Sequence, residues 1–463
     1  MTTSATAIPE AAPWPQLLPG TELMGQAAGS GLRQAPYLVR RCDGQVVQLS
    51  PTLYELAGLM QNRDPAAIAA AAARELDVRV NPEQIARIAE TKLAPLGLVR
   101  FRDGSTAPFQ RRNALLALRF RVGVLPARVV NALGGVLAPL FWMPVVLSIV
   151  VALTACDVWL FSSKSVTGAL SAVIQTPDLF LALFAVTVLS LAFHECGHAA
   201  ACRYGGARPG RIGVGIYLVW PVFYTDVTDS YRLSRAGRLR TDLGGVYFNG
   251  LVSLTAAGLY LLNGYRPLLM VVASQQILMI EQFVPWMRLD GYHVVSDLIG
   301  VPDLFARIRP VIASLVPGHE PGRRVTELKP WARGVVTAWV LVAVMALVGM
   351  LAYAFGYAPR FIGQTWRSLN VQVDAISASI HHGQAVNVLN GTIGAFMLVL
   401  PFMGITLTYL LLCRAFGAAL AARRCRRDLT LAPAREDSLD AATEVAAGLE
   451  SPEKAPRLSL ARG

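Results

Sequence analysis

Several stretches of this chain run for some twenty residues without a charge, and they limit its possible folds more than any other feature. Leu133–Cys156, Val335–Phe355 and Val388–Cys413 are such runs, and Leu179–Phe193 continues as one through the next turns. Val246–Leu262 and Pro267–Val284 are shorter and are joined by NGYRP, a hairpin of two spans. About twenty apolar residues cross a bilayer as a helix, and lipid leaves no other way to satisfy a single segment's backbone. The expectation is a mainly α, polytopic membrane protein with about six transmembrane helices. Composition agrees: 54% of residues are hydrophobic, only 16% are charged, and the mean hydropathy is +0.45. A soluble domain has about a quarter of its residues charged.

The net charge of +12 is mostly arginine, and its distribution orients the spans. Seven arginines fall between Arg203 and Arg240, and six more, with Lys329, between Arg288 and Arg333. Arg423, Arg424, Arg426 and Arg427 follow the last run, while the alternate loops hold only Lys164, Arg266, Arg360 and Arg367. Positive loops stay inside, so both termini are expected in the cytoplasm of a multi-pass cell-membrane protein. The excess charge is thereby assigned to lipid and loops, with no nucleic-acid partner. The opening MTTSATAIPEAAPWP has no basic region ahead of an apolar core, so no cleaved signal peptide is expected. The six cysteines form no CxxC pair, which argues against a disulfide framework or a thiolate zinc site.

The second run ends in LAFHECGHAA. His194 and His198 are four apart, so a helix places them one turn apart on the same side. Two neutral imidazoles in that arrangement hold one zinc ion, and Glu195 between them is placed to take a proton from attacking water. Ionisable groups at the end of a spanning helix are costly and therefore mark function. Catalytic zinc needs a third protein ligand. The fourth run returns to the same side of the membrane at EQFVPWMRLDGYH, which brings Asp290 to the depth of the histidines. His293, Glu281, Asp226 and Asp229 are its rivals, and Asp157 lies on the opposite side.

HExxH in one span, Asn249 in GGVYFNG and LDG after a later span together resemble the site-2 protease family of intramembrane zinc metalloproteases. The likeness runs from about Leu179 to Gly300. It implies Zn2+ bound by His194, His198 and Asp290, with Glu195 as general base and Asn249 holding substrate or the oxyanion. The chain departs from that family's pattern at Gly244-Gly245, where a proline is common, and at Glu281-Gln282, where asparagines precede LDG. Between the second and third runs, RIGVGIYLVWPVFYTDVTDSYRL alternates β-branched and aromatic residues, as a short hairpin does, and its edge is suited to receive a substrate strand.

Residues 34–104 have a different character. Asp43-Gly44 sits between two alternating segments as a hairpin turn. Ser50-Pro51, Asp64-Pro65 and Asn81-Pro82 each pair an N-cap residue with a proline at the first helical position. Leu53, Leu56 and Met60, then Ile68 and Leu76, then Ile85, Ile88 and Leu93 give three helices one buried face each, and GLVRFRDG closes the unit as a wing. This small α+β winged helix resembles PqqD-like domains, which implies binding of a leader segment of a ribosomally made peptide precursor. Residues 1–33 read as a disordered tail, and 416–463 as a basic then disordered one. Residues 105–132, with Arg111, Arg112, Arg119, Arg121 and Arg128 among apolar residues, read as an amphipathic linker on anionic lipid. Residues 133–415 make the six-span domain.

The expected function is a membrane-embedded zinc endopeptidase acting on a peptide precursor or a membrane-associated protein. The alternative from another class is a peptide-binding membrane protein, an export partner or immunity factor, whose zinc is structural. An intact Glu195 argues against it, because a structural site has no use for a base beside the metal.

Overall fold

The computed structural model describes residues 14–400 apart from 28, 61–63, 76–78, 107–118, 163–176, 218–219 and 286, together with scattered positions from 403 to 417. The chain divides into two units, Met1–Leu400 and Pro401–Gly463. All features below belong to the first; the expected tail from 416, apart from residue 417, and much of the sixth run beyond residue 400 lie outside the described residues.

The fold is mainly helical with small sheets, as expected of a polytopic membrane protein. Among the described residues, Met143–Leu160, Leu179–Tyr204, Gly244–Asn263 and Pro330–Tyr353 are long and apolar enough to cross a membrane. Ala127–Phe141, Pro267–Glu281 and Ala385–Leu400 are shorter apolar helices.

The front unit starts earlier than expected. Glu22–Gln26 (β1), inside the presumed disordered tail, pairs antiparallel with Tyr37–Arg40 (β2), which pairs with Val46–Leu49 (β3). Leu17 and Leu23 pack on the core of this unit, and that burial orders a segment whose composition looks like a tail. Gly44, at φ +84°, makes the β2–β3 turn. Three helices follow: Pro51–Leu59 (α1), Pro65–Glu75 (α2) and Pro82–Ile88 (α3). Ser50 caps the first, Asp64 Oδ1 accepts from Ala67 N at 2.6 Å, and Asn81 and Gln84 form a reciprocal capping box on the third. Their buried faces meet the sheet around Met60, Ile68, Ile85 and Leu93.

Residues 29–33, between β1 and β2, leave this unit and pack against residues 292–332. Gly31 N donates to Gly300 O at 3.0 Å, Lys329 N to Gly31 O at 2.9 Å, and Arg33 N to Glu327 O at 2.8 Å. Lys329 Nζ donates to Ser30 O at 2.9 Å, and Leu32 is buried in a cluster with Tyr292, Ile299 and Val301. The fit is tight: a Cβ on Gly31 would lie 2.4 Å from Ile299 O. Nothing in the sequence announces this strap.

The expected lipid-surface linker is partly a strand. Arg119–Leu125 (β4) pairs antiparallel with Ile212–Tyr217 (β5), which pairs with Trp220–Thr225 (β6), in the order β4-β5-β6. Charges alternating with apolar residues fit a period of two as well as a surface helix, and pairing with β5 selects the strand. The first expected span is also broken. Ala127–Leu137 (α4) ends in a tight turn at Ala138–Phe141, and Met143–Ser162 (α5) follows; Pro139 and Pro144 deny a continuous helix its amide donors there.

Pro177–Tyr204 (α6) and Gly244–Asn263 (α8) cross closely, with the short helix Arg235–Asp242 (α7) leading into the second. A Cβ on Gly197 would sit 2.2 Å from Gly244 O, so only glycines allow this approach. Pro267–Glu281 (α9) and Asp290–Ile299 (α10) follow. The fifth expected span, Val335–Phe355, lies inside a 52-residue helix, Pro330–His381 (α11), that continues well beyond it. After a turn at Gly383 (φ +67°), Ala385–Leu400 (α12) returns along it. Glycine lets the two approach, since a Cβ on Gly391 would meet Ile376 at 2.6 Å.

Candidate metal centre

Three side chains from two helices converge where α6 and α10 meet. His194 Nε2 lies 3.1 Å from Asp290 Oδ2, His198 Nε2 lies 3.3 Å from it, and the two Nε2 atoms are 3.1 Å apart. His194 is 5% exposed and His198 8% exposed. These three atoms make a group able to hold a metal ion. Four ligands about 2.0–2.1 Å from a tetrahedral zinc would be separated by about 3.3–3.4 Å, the scale seen here. The donor set fits for a second reason. His198 Nδ1 donates to Thr241 O at 2.8 Å, which fixes the ring and turns Nε2 towards the cluster. His198 Nε2, His194 Nε2 and the Asp290 carboxylate then face one point, and such a point calls for a positive charge, a proton shared by the rings or a metal ion.

Asp290 opens α10 instead of closing the preceding span. Leu289 is extended, and Gly291 N donates to Gln282 O at 2.9 Å. Gly291 is needed for close passage and not for an unusual turn: a Cβ there would lie 2.7 Å from Phe283 Cα. Burial opposes ionisation of Asp290, but the adjacent His198 and His194 outweigh it and hold the carboxyl well below the usual carboxylate range.

Glu195 is half-buried, and Thr225, at the end of β6, donates to its Oε2 at 2.7 Å. Asn249 is fully buried one turn into α8, and neither its Oδ1 nor its Nδ2 has a hydrogen-bond partner among the described residues. Gly245, one turn before it, presses against the site: a Cβ there would lie 2.3 Å from His194 Nε2. The Gly-Gly that departs from the family pattern is thus required by packing.

The rival ligands are placed elsewhere. Asp226 Oδ1 accepts from Thr228 Oγ1 at 2.6 Å, and Asp229 is engaged by Arg232 and by Arg208 N. Glu281 is exposed at the end of α9, and Asp157 accepts from Gln276 at 2.7 Å in another part of the helix bundle. His293 is close enough to feel Asp290, but it is not part of the converging group. Behind the site, Asp242 is half-buried beside Asp297, whose Oδ1 is 3.1 Å from Arg238 Nε. Burial, then the Asp297 charge, pushes its pKa up to about 8. Thr225, Thr241 and Asp242 carry no sequence signature; only their positions relative to the histidines give them roles.

Compared with known proteins, the chain is 23% identical over 147 residues to "Putative peptide zinc metalloprotease protein YydH" of Bacillus subtilis (strain 168). The match covers 31% of this chain and spans 57% of the length of that relative. It supports a metalloprotease-like function in general terms. No protein-family profile matches the chain. No solved structure matches it.

Proposed function

We propose that the chain is a membrane-embedded zinc metalloendopeptidase of the site-2 protease type. The observation that carries this reading is the convergence of His194, His198 and Asp290, with Glu195 on the same helical turn. Zinc bound there would supply a water acidified towards neutral pH and polarise the scissile carbonyl. Glu195 takes the proton of the attacking water and passes it to the leaving amine. Asn249 offers an unpaired buried carboxamide to the substrate backbone or to the developing oxyanion.

β6 forms one edge of its sheet and ends at Glu195's partner, so a substrate strand added along it would reach the metal centre extended. The substrate class is a peptide precursor or a membrane-associated protein, with the front unit holding a leader segment. Arginine-rich loops on one side support a multi-pass arrangement in the cell membrane with both termini cytoplasmic.

Glu195→Gln tests the reading. The variant should keep its zinc and lose 10²–10⁴-fold in turnover, the usual cost of a missing general base. Wild-type turnover in that variant would identify HECGH as a structural clamp and favour the non-proteolytic, peptide-binding alternative.

A further inference from the structure

We propose that Thr225 is a positioning residue that orients Glu195 and ties it to the strand beside the site; this rests on the reading of Glu195 as general base. Thr225 Oγ1 lies 2.7 Å from Glu195 Oε2 and 3.0 Å from Glu195 O. A hydroxyl has one proton to give, and an ionised carboxylate is a stronger acceptor than a carbonyl. The bond therefore goes to Oε2 and leaves the other carboxylate oxygen to work on the proton. A glutamate side chain has three rotatable bonds, so one such contact removes much of its freedom to turn away from the reacting atoms.

The donor itself is held firmly. Thr225 pairs with Ile212 in the β5–β6 ladder. Asp226 N donates to Arg211 O at 3.0 Å, and Gly210 N donates to Asp226 O at 2.6 Å. Asp226 Oδ1 then accepts from Thr228 N at 3.1 Å and Thr228 Oγ1 at 2.6 Å, closing the turn after the strand. A Cβ on Gly210 would lie 2.5 Å from Asp226 Oδ2, so the two chains are in close contact there. The base is thus fixed from outside its own helix, by the last residue of an edge strand. A peptide docked along β6 would have its backbone in register with the residue that aims the base, so alignment of the bond to be cut and alignment of Glu195 share one support.

The test compares Thr225→Val, which keeps the shape without the hydroxyl, with Thr225→Ser, which keeps the hydroxyl without the methyl. Purified full-length chain in detergent, loaded with zinc, is given a proteome-derived peptide pool, and new amino termini are counted; the best-cleaved peptide is then used for kinetics. Thr225→Val should lower kcat roughly 10- to 100-fold, as expected for losing a hydrogen bond to a charged group, with KM and zinc content unchanged. Thr225→Ser should recover most of the rate. A Val variant with wild-type kcat beside an inactive Glu195→Gln overturns the positioning role. So does a loss that falls on KM or zinc content, or that serine does not rescue. Wild-type turnover by Glu195→Gln, or no cleavage by the wild type, overturns the endopeptidase reading itself and is distinguishable from both.

Discussion

Leu32 lies far from the proposed metal ligands in sequence, yet Leu32→Ala should loosen a bound zinc ion. Its side chain is 8% exposed and packs with Tyr292 and Ile299, both on α10, the helix that begins with Asp290. Removing a buried leucine side chain down to alanine costs about 2–5 kcal/mol, set by how far the cavity collapses. If only about 1.4 kcal/mol of that falls on the closed position of α10, transient opening of the helix rises about tenfold. Zinc release to a chromogenic chelator should then be at least about ten times faster than from wild type. Leu56→Ala is the matched control: Leu56 is 4% exposed, but its cluster contains no residue of α10. The two variants should lose comparable thermal stability while only Leu32→Ala releases zinc faster. Equal release rates would refute the idea that the strap at 29–33 braces the third ligand, and would return the front unit to an independent module.

Two further outcomes follow from the site. Asp290→Ala should lose the metal by elemental analysis while His293→Ala retains it; the reverse result would move the third ligand to His293. Asp242 makes stability pH-dependent with a definite sign. Its folded pKa is raised from 3.8 to about 8, so folding takes up a proton between those values, and the stability it contributes at low pH is lost as pH rises towards 8. Asp242→Asn keeps the neutral form, so its Tm should exceed that of wild type at pH 8, with the gap closing towards pH 4. A gap independent of pH would show that Asp242 is not the titrating group.

Much of the centre can be read in local patterns. HECGH places its two histidines one turn apart whatever surrounds them, because the period of a helix is set by the backbone. LDG after a later apolar helix, at matching depth, was enough to nominate Asp290 from positions 96 and 92 residues away in the chain (290 − 194 and 290 − 198). The caps at Ser50, Asp64 and Asn81 are similarly local, since a side chain there serves an amide two or three residues on. Where the pattern is ambiguous, local spacing cannot choose. Arg119–Leu125 has an alternation that fits either a lipid-surface segment or a strand, and the partner Ile212–Tyr217 that decides between them lies almost ninety residues on.

The sequence by itself determined the apolar helices, the histidine pair with its glutamate, and the carboxylate nominated to join them, because each depends on spacing along one helix or on length against a bilayer. Tertiary structure alone decided that Thr241 O orients His198, that Thr225 holds Glu195, that Gly245 must be small to clear His194, and that the segment at Gly31 and Leu32 packs against α10. Each of these is a contact between distant segments made by a residue type common anywhere in a chain. A backbone carbonyl, a threonine hydroxyl or a missing Cβ gains a role only when packing brings its partner within a few ångströms, and that proximity is a property of the fold and not of the spacing.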